Sequence, residues 1–155
     1  MAAANAIIAT PIGPLRLEAD GASLTGVWFH AKEPLTRGGL SGVLAQTERE
    51  LDEYFARKRT VFDVPLRPAG TAFQLECWRA LQEIRYGTTW TYAELASHIG
   101  RPDAVRAVGS ANGANPIPII IPCHRVIGSN GKLVGFGGGI DTKQRLLELE
   151  GARLF

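Results

Sequence analysis

The sequence predicts an α/β (α+β) protein, in which a small strand-plus-helix domain precedes a mostly helical C-terminal domain with a helix-turn-helix. Three observations support this prediction. An Asp20-Gly21 turn lies between apolar segments, an amphipathic helix pattern follows it, and two Thr-x-x-Gln/Glu helix starts come after residue 70. The 155 residues and 45% hydrophobic content are ordinary for a globular protein with its own core.

The N-terminal domain is expected to span residues 1–66. Glycine and proline mark residues 31–42 as a loop, and residues 43–58 have the periodicity of a helix. Before the loop, residues 6–30 are expected to form short strands. Their strand-forming residues are Ile12, Leu15, Leu17, Leu24, Val27, Trp28 and Phe29. The shared face of the helix is formed by Leu44, Leu51, Tyr54, Phe55 and Lys58.

A short Arg-Pro-Ala-Gly linker, residues 67–70, is expected to lead into a C-terminal domain of residues 71–155. The pairs Thr71/Gln74 and Thr91/Glu94 each have the spacing of a capping box, so each predicts a helix start. The second of these helices should end at Gly100, and a third should run from Ala104 to about Asn112. Two short helices joined by a tight turn form a helix-turn-helix pattern.

The segment after the third helix is apolar and holds three prolines. We expect residues 115–122 to form a short buried strand that ends at Pro122. The glycine-rich residues 128–139 predict a loop, and a last helix should begin at Asp141 or Thr142 and end with Glu150-Gly151.

Charge and cysteine content exclude several classes of protein. The net charge of +2 is too small to indicate a nucleic-acid partner by itself. Cys77 and Cys123 form no C-x-x-C pair and the histidines are dispersed, so we expect no metal site and no cofactor. The first basic residue, Arg16, follows the apolar run at residues 6–9, the reverse of a secretory signal, and no run has membrane-spanning length. We therefore expect a cytoplasmic protein with reduced thiols.

The stretch Pro122-Cys123-His124-Arg125-Val126 contains the main candidate for chemistry. A cysteine after a buried apolar segment is usually inert, but a neighbouring imidazole could accept its proton. Adjacent residues of a strand point to opposite faces, so Cys123 and His124 can cooperate only if the chain turns there or a water bridges them. The spacing alone supports a reactive thiol and a packed thiol equally.

Several ordered motifs resemble one family. Asn115-Pro116-x-Pro118 followed by Ile121-Pro122-Cys123-His124-Arg125-Val126 resembles the signature of the O6-alkylguanine-DNA alkyltransferases. Residues 106–109, Arg-Ala-Val-Gly, resemble the family's recognition helix, and Gly138-Gly139 and Glu150-Gly151 fit the end of its pattern. The resemblance covers about residues 71–151. Residues 1–66 resemble the family's N-terminal domain only in length and strand-helix pattern.

The resemblance implies direct-reversal DNA repair, in which an alkyl group moves irreversibly from O6-alkylguanine, and possibly O4-alkylthymine, to Cys123. His124 would draw the thiol proton through water, and Glu150 would orient His124, which extends the logic of catalytic triads. Tyr92 would donate toward the leaving guanine. Asn115 would brace the turn between the recognition helix and the active site.

The family pattern also implies DNA contacts. The partner would be double-stranded DNA containing O6-alkylguanine, bound through the minor groove by a monomer, and Arg106 would fill the space of the flipped nucleotide. The residues expected to contact DNA are Arg106, Ala107, Gly109, Ser110 and Arg125. The residues expected to line the pocket for the extruded base are Val126, Val134, Gly135, Phe136 and Gly137.

Two departures from the pattern fall in this pocket. Phe136 stands where many relatives have tyrosine, and Gly137 where some have serine, so hydroxyl groups are lost while an aromatic wall and a backbone amide remain. Two other functions stay open at this point. A damage sensor would need no reactive thiol, and a cysteine hydrolase using Cys123 and His124 would turn over many times, although no oxyanion-hole motif is evident.

Overall fold

The computed structural model describes residues 3–152, and the chain divides into two compact units, Met1–Ala69 and Gly70–Phe155. The outermost residues of the two predicted domains, 1–2 and 153–155, lie outside the described residues. The predicted fold class is confirmed, because the first unit holds a three-stranded sheet and one helix while the second is mostly helical. No helix within residues 3–152 has the length and apolar character needed to cross a membrane.

The first unit contains an antiparallel sheet in the order β1-β2-β3, formed by Ala3–Ile8, Leu15–Asp20 and Ser23–Trp28. The predicted hairpin is confirmed, because Asp20 pairs with Ser23 around Gly21, whose φ of 64° suits a tight turn. The expectation that Ile12 belongs to a strand is wrong. It lies in the β1–β2 turn next to Gly13, whose φ is 103°.

Helix α1 (Gly42–Phe55) packs on the sheet through buried Leu44, Leu51 and Tyr54. The prediction that it continues to Lys58 is wrong. The chain leaves the helix at Ala56, Arg57 takes a left-handed φ of 60°, and Lys58 is exposed. The loop predicted before α1 is irregular, as expected.

Within residues 70–152, the α-helices of the second unit are α2 (Ala72–Leu81), α3 (Tyr92–His98), α4 (Val105–Gly113) and α5 (Ile140–Leu149). Both predicted capping boxes are present, at Thr71/Gln74 and Thr91/Glu94. Helices α3 and α4 are joined by a short turn that contains Gly100 at φ 75°, which gives the predicted helix-turn-helix. Trp78 Nε1 donates to the carbonyl of Ala111 at 2.7 Å and so ties α2 to α4.

Residues 117–122 are buried and residues 115–116 are half-buried, but the strand predicted for residues 115–122 is wrong. Their prolines lack the amide donors that a strand ladder needs, and Ile119 has a left-handed φ of 74°. The Ile121 amide instead donates to the Ile117 carbonyl at 2.9 Å and closes a turn. The parallel pair of this unit joins β4 (Trp90–Thr91) to β5 (Val126–Ile127), which places the segment after Cys123 beside the start of α3.

Candidate active site

The chain makes a 3₁₀ turn at Cys123–Arg125, directly after the apolar segment. The Arg125 amide donates to the Pro122 carbonyl at 3.0 Å, and the side chains of all three turn residues are buried. Because the backbone turns here, the alternation of an extended strand does not force Cys123 and His124 to opposite faces. The turn therefore allows the Cys123 thiol and the His124 imidazole to lie on the same side of the chain.

Asn115 braces the chain just before this turn. Its Nδ2 donates to the Ile121 carbonyl at 2.8 Å, and its Oδ1 accepts from the Ile117 amide at 3.0 Å. These two bonds span the residues between the end of α4 and Cys123. The side chain thus lies where a brace between the recognition helix and the active site was expected.

His124 and Glu150 form a fully buried hydrogen bond of 2.8 Å between Nε2 and Oε2. Burial by itself would raise the pKa of the Glu150 carboxyl, but the bonds and charges of His124 and Arg125 together lower it to about 2. Burial lowers the pKa of His124, so the ring is neutral near pH 7. An ionised carboxylate only accepts, so Nε2 carries the proton and Nδ1 keeps its lone pair.

The Nδ1 atom of His124 is buried and has no hydrogen-bond partner among residues 3–152. A buried nitrogen with a free lone pair is poised to accept a proton. His124, which carries this nitrogen, directly follows Cys123 in the sequence.

Arg125 does not take the place that the family pattern suggested. We expected it to contact DNA, but only 6% of its surface is exposed. Its guanidinium forms two bonds to Glu150, at 2.8 and 3.0 Å, and a third to the Ile84 carbonyl at 2.6 Å. A DNA contact would break this buried arrangement, so Arg125 is better described as the residue that fixes Glu150.

Cys123 is a buried free thiol with 5% of its surface exposed. Burial raises the pKa of this thiol to about 11, although a hydrogen bond from Asn115 and the charge of Lys143 act in the opposite direction. The thiol is therefore protonated at neutral pH in the resting protein. Its reaction requires a group that removes the proton.

Lys143 is a member of this site that the sequence analysis missed. Its Nζ donates to the carbonyls of Val126 at 2.6 Å and Val134 at 2.9 Å, and the side chain is buried. Burial lowers its pKa to about 8. The signal in the sequence was its spacing from Leu146, Leu147 and Glu150, which puts a lysine on the inner face of α5.

The residues expected to form the base pocket differ in burial, and one of them, Val134, contacts Tyr92. Val126 is buried beside the turn, whereas Val134, Gly135 and Gly137 are exposed in the loop and Phe136 is half-buried. The Tyr92 hydroxyl lies 3.5 Å from the Val134 carbonyl, and its ring faces Gly109, where an added Cβ would lie 3.8 Å from Cδ1. Burial raises the pKa of Tyr92.

Helix α4 exposes the surface that the sequence assigned to DNA. Arg106, Ala107 and Ser110 are exposed, while Gly109 is half-buried behind them. The exposed side thus combines small residues with one arginine, which lets a partner approach the helix closely.

Family models match both halves of the chain. Residues 5–68 match the ribonuclease-like domain of 6-O-methylguanine DNA methyltransferase, and residues 72–152 match its DNA-binding domain. A methylated-DNA–protein-cysteine methyltransferase from Methanosarcina acetivorans is 49% identical over 152 residues, covering 95% of this chain and 97% of the relative. The protein of that name from Mycobacterium tuberculosis is 50% identical over 154 residues, covering 94% and 91%.

A solved structure is similar over nearly the same length. The crystal structure of Mycobacterium tuberculosis OGT in complex with DNA has a TM-score of 0.84 and 49% identity to this chain. The match covers 94% of this chain and 91% of that one.

Proposed function

The chain belongs to the O6-methylguanine DNA methyltransferase family, and we propose that it repairs O6-alkylguanine in DNA by moving the alkyl group onto Cys123. The reaction is a direct reversal, because it returns guanine without cutting the strand. The thioether that forms is stable, so each molecule reacts once.

One observation supports Cys123 as the alkyl acceptor and His124 as its base. The buried Glu150 carboxylate holds His124 through Nε2, which leaves Nδ1 as a free base in the residue next to a protonated thiol. Nucleophilic cysteines need such a base when their own pKa is high. Cys77, the other free cysteine, is also buried, but it lies on α2, which supplies none of these groups.

The proton and the electron pairs of the proposed reaction can be followed through Cys123, His124 and Tyr92. Nδ1 of His124 takes the thiol proton, directly or through water, and Sγ of Cys123 attacks the alkyl carbon. The bond from that carbon to O6 breaks, and the electron pair passes to the guanine ring. Tyr92 donates a proton to the leaving guanine and then takes a proton from the imidazolium of His124. The proton that the thiol lost is thereby balanced by the proton that guanine gains.

Access to O6 requires extrusion of the nucleotide, because O6 lies inside the duplex. We assign α4 to the minor groove, where its small residues allow close approach and Arg106 occupies the space that the base leaves. The extruded base would lie between Tyr92 and the loop at Val134–Gly137, with Phe136 as an apolar wall. We expect the protein to act as a monomer in the cytoplasm.

The mass of the intact protein tests the proposal. After incubation with a duplex containing one O6-methylguanine, we expect every active molecule to gain one methyl group on Cys123, with repaired guanine equal in amount to modified protein. The Cys123→Ser variant is the control, and it should bind the duplex without gaining mass.

Three results would contradict the proposal. Tight binding with unchanged mass in the wild type would indicate a sensor, and repaired guanine in excess of protein would indicate a turnover enzyme. Methylation of Cys77 in place of Cys123 would place the acceptor elsewhere.

A further inference from the structure

The connection between α2 and β4, residues 82–89, lies against the C-terminal end of α5. The Tyr86 hydroxyl donates to the Leu149 carbonyl at 3.4 Å. Gly87 follows with a φ of 82°, and a Cβ added there would lie 3.2 Å from the backbone oxygen of Glu150. A side chain at this position would be strained by its backbone conformation and would crowd that oxygen. The connection is therefore fitted closely to the residue that holds His124.

The Tyr86 ring also packs against Arg125. The central guanidinium carbon of Arg125 lies over this ring, 5.7 Å from its centroid. Arginine stacks readily on aromatic faces, and the attraction between cation and ring is stronger where water is excluded. Hydrogen bonds from the same guanidinium reach the Glu150 carboxylate and the Ile84 carbonyl. The buried arginine is thus held by these bonds and by the tyrosine ring together.

One oxygen of Glu150 connects this arginine to the imidazole. Oε2 accepts from Nε2 of His124 at 2.8 Å and from Nη2 of Arg125 at 3.0 Å. A movement of the guanidinium would therefore move the oxygen that holds the imidazole. Reactive groups keep a productive geometry only when the residues behind them are locked by packing and hydrogen bonds. The orientation of His124 thus depends on the group that packs against Arg125.

We propose that Tyr86 is a positioning residue for the base, His124. Its ring keeps the Arg125 guanidinium against the Glu150 carboxylate, so that Oε2 stays aligned with the imidazole. The ring proton then remains on Nε2, and the lone pair of Nδ1 stays available for the thiol proton. The inference rests on the proposed function, since it assumes that His124 takes the proton of Cys123.

Nitrogen NMR of the His124 ring tests this role, because a protonated and an unprotonated ring nitrogen give distinct signals. We expect the wild type to show only the tautomer with the proton on Nε2, and Tyr86→Leu to show a mixture of both tautomers. The single-turnover rate of methyl transfer at saturating duplex should fall about tenfold in Tyr86→Leu, which is the scale of a desolvated cation–π contact. Tyr86→Phe keeps the ring over Arg125 and should match the wild type in both measurements.

Phe73→Leu is the matched control. Phe73 also lies under an arginine, with the guanidinium carbon of Arg101 5.6 Å from its ring centroid, but that arginine pairs with Glu76 and not with Glu150. This change should alter neither the tautomer nor the rate. Tyr86→Met covers the case in which leucine prevents folding, because an unbranched side chain fills the space without an aromatic face.

Two results would overturn the inference alone. One is a wild-type tautomer and rate in a folded Tyr86→Leu or Tyr86→Met protein, and the other is an equal loss in Tyr86→Phe, which would assign the effect to the hydroxyl. A wild-type protein that gains no methyl group would overturn the proposed function, whereas the tautomer of His124 can be measured without that reaction.

Discussion

His124 and Glu150 lie 26 residues apart in the sequence and share a buried hydrogen bond of 2.8 Å. The same carboxylate binds the guanidinium of Arg125 through both oxygens. One acidic residue at the C-terminal end of α5 therefore binds two of the three residues in the turn that contains Cys123. The packing of this turn and the orientation of the His124 ring therefore involve the same carboxylate.

Replacing this carboxylate should damage both properties. Glu150→Gln leaves the Arg125 charge buried without its partner, so we expect a loss of about 3–5 kcal/mol in the free energy of unfolding. Methyl transfer should also slow, because His124 is no longer held in one tautomer. Denaturant unfolding and single-turnover kinetics would measure the two effects. Glu148→Gln, an exposed change in the same helix, should alter neither; a Glu150→Gln protein as stable as wild type would contradict the buried ion pair.

The pKa of Glu150 also predicts how stability depends on pH. The folded value of about 2 lies below the ordinary value of 4.5, so the folded state binds fewer protons between these limits. The stabilisation is complete above about pH 4.5 and is lost as the pH falls toward 2. Unfolding experiments at a series of acidic pH values should show this fall in the wild type and a weaker fall in Glu150→Gln. Parallel curves for the two proteins would argue against it.

Lys143 is expected to hold the pocket loop. Lys143→Met keeps the length and apolar stem of the side chain, but it leaves the Val126 and Val134 carbonyls without their donor. We expect slower methyl transfer and faster cleavage of residues 128–139 in limited proteolysis. Lys132→Met, an exposed lysine of the same loop, serves as the control and should change neither readout. Unchanged proteolysis of Lys143→Met would show that the loop is held by other contacts.

Arg106 should matter for duplex DNA and not for the chemistry itself. We expect Arg106→Ala to slow transfer from a duplex by about tenfold or more, because nothing fills the gap left by the flipped nucleotide, while transfer from the free base O6-benzylguanine stays unchanged. Arg49→Ala removes the same charge from an exposed site on α1 and should leave both reactions intact. An equal loss on both substrates would mean that Arg106 acts on the active site.

The methylated protein should be less stable than the unreacted one. Cys123 lies in a packed site, and an added methyl group in such a site costs about 1–3 kcal/mol. For a chain of this size we expect the melting temperature to fall by roughly 2–4 °C per kcal/mol. Differential scanning calorimetry before and after reaction would measure the change, and Cys123→Ser treated in the same way should show none. An unchanged or higher melting temperature would refute this expectation.

The features predicted correctly from the sequence are those set by neighbouring residues. The Asp20-Gly21 hairpin and the two capping boxes depend on contacts three residues apart or fewer, so their signals are complete within a short window. The apolar character of residues 115–122 likewise predicted burial, which residues 117–122 show. Their local geometry could not be predicted in the same way. The prolines argue against a regular strand but do not specify which turn replaces it, and the left-handed φ of Ile119 has no signal in the sequence.

The residues that were placed wrongly or missed depend on distant partners. Arg125 bonds to groups 25 and 41 positions away, at the C-terminal end of α5 and after α2, and no residue near it in the sequence indicates these partners. A basic residue in a DNA-binding motif is then naturally assigned to the DNA. Lys143 was missed for a similar reason, since its acceptors are backbone carbonyls, which every residue has.

The tight turn at Cys123–Arg125 limits how this stretch of the chain can change over evolutionary time. Three consecutive positions supply the thiol, the imidazole and the guanidinium that binds Glu150, so inserting or deleting one residue would shift all three groups at once. The part of the glycine-rich loop before Val134 supplies none of these groups, and differences in length between descendants of this protein should accumulate there instead.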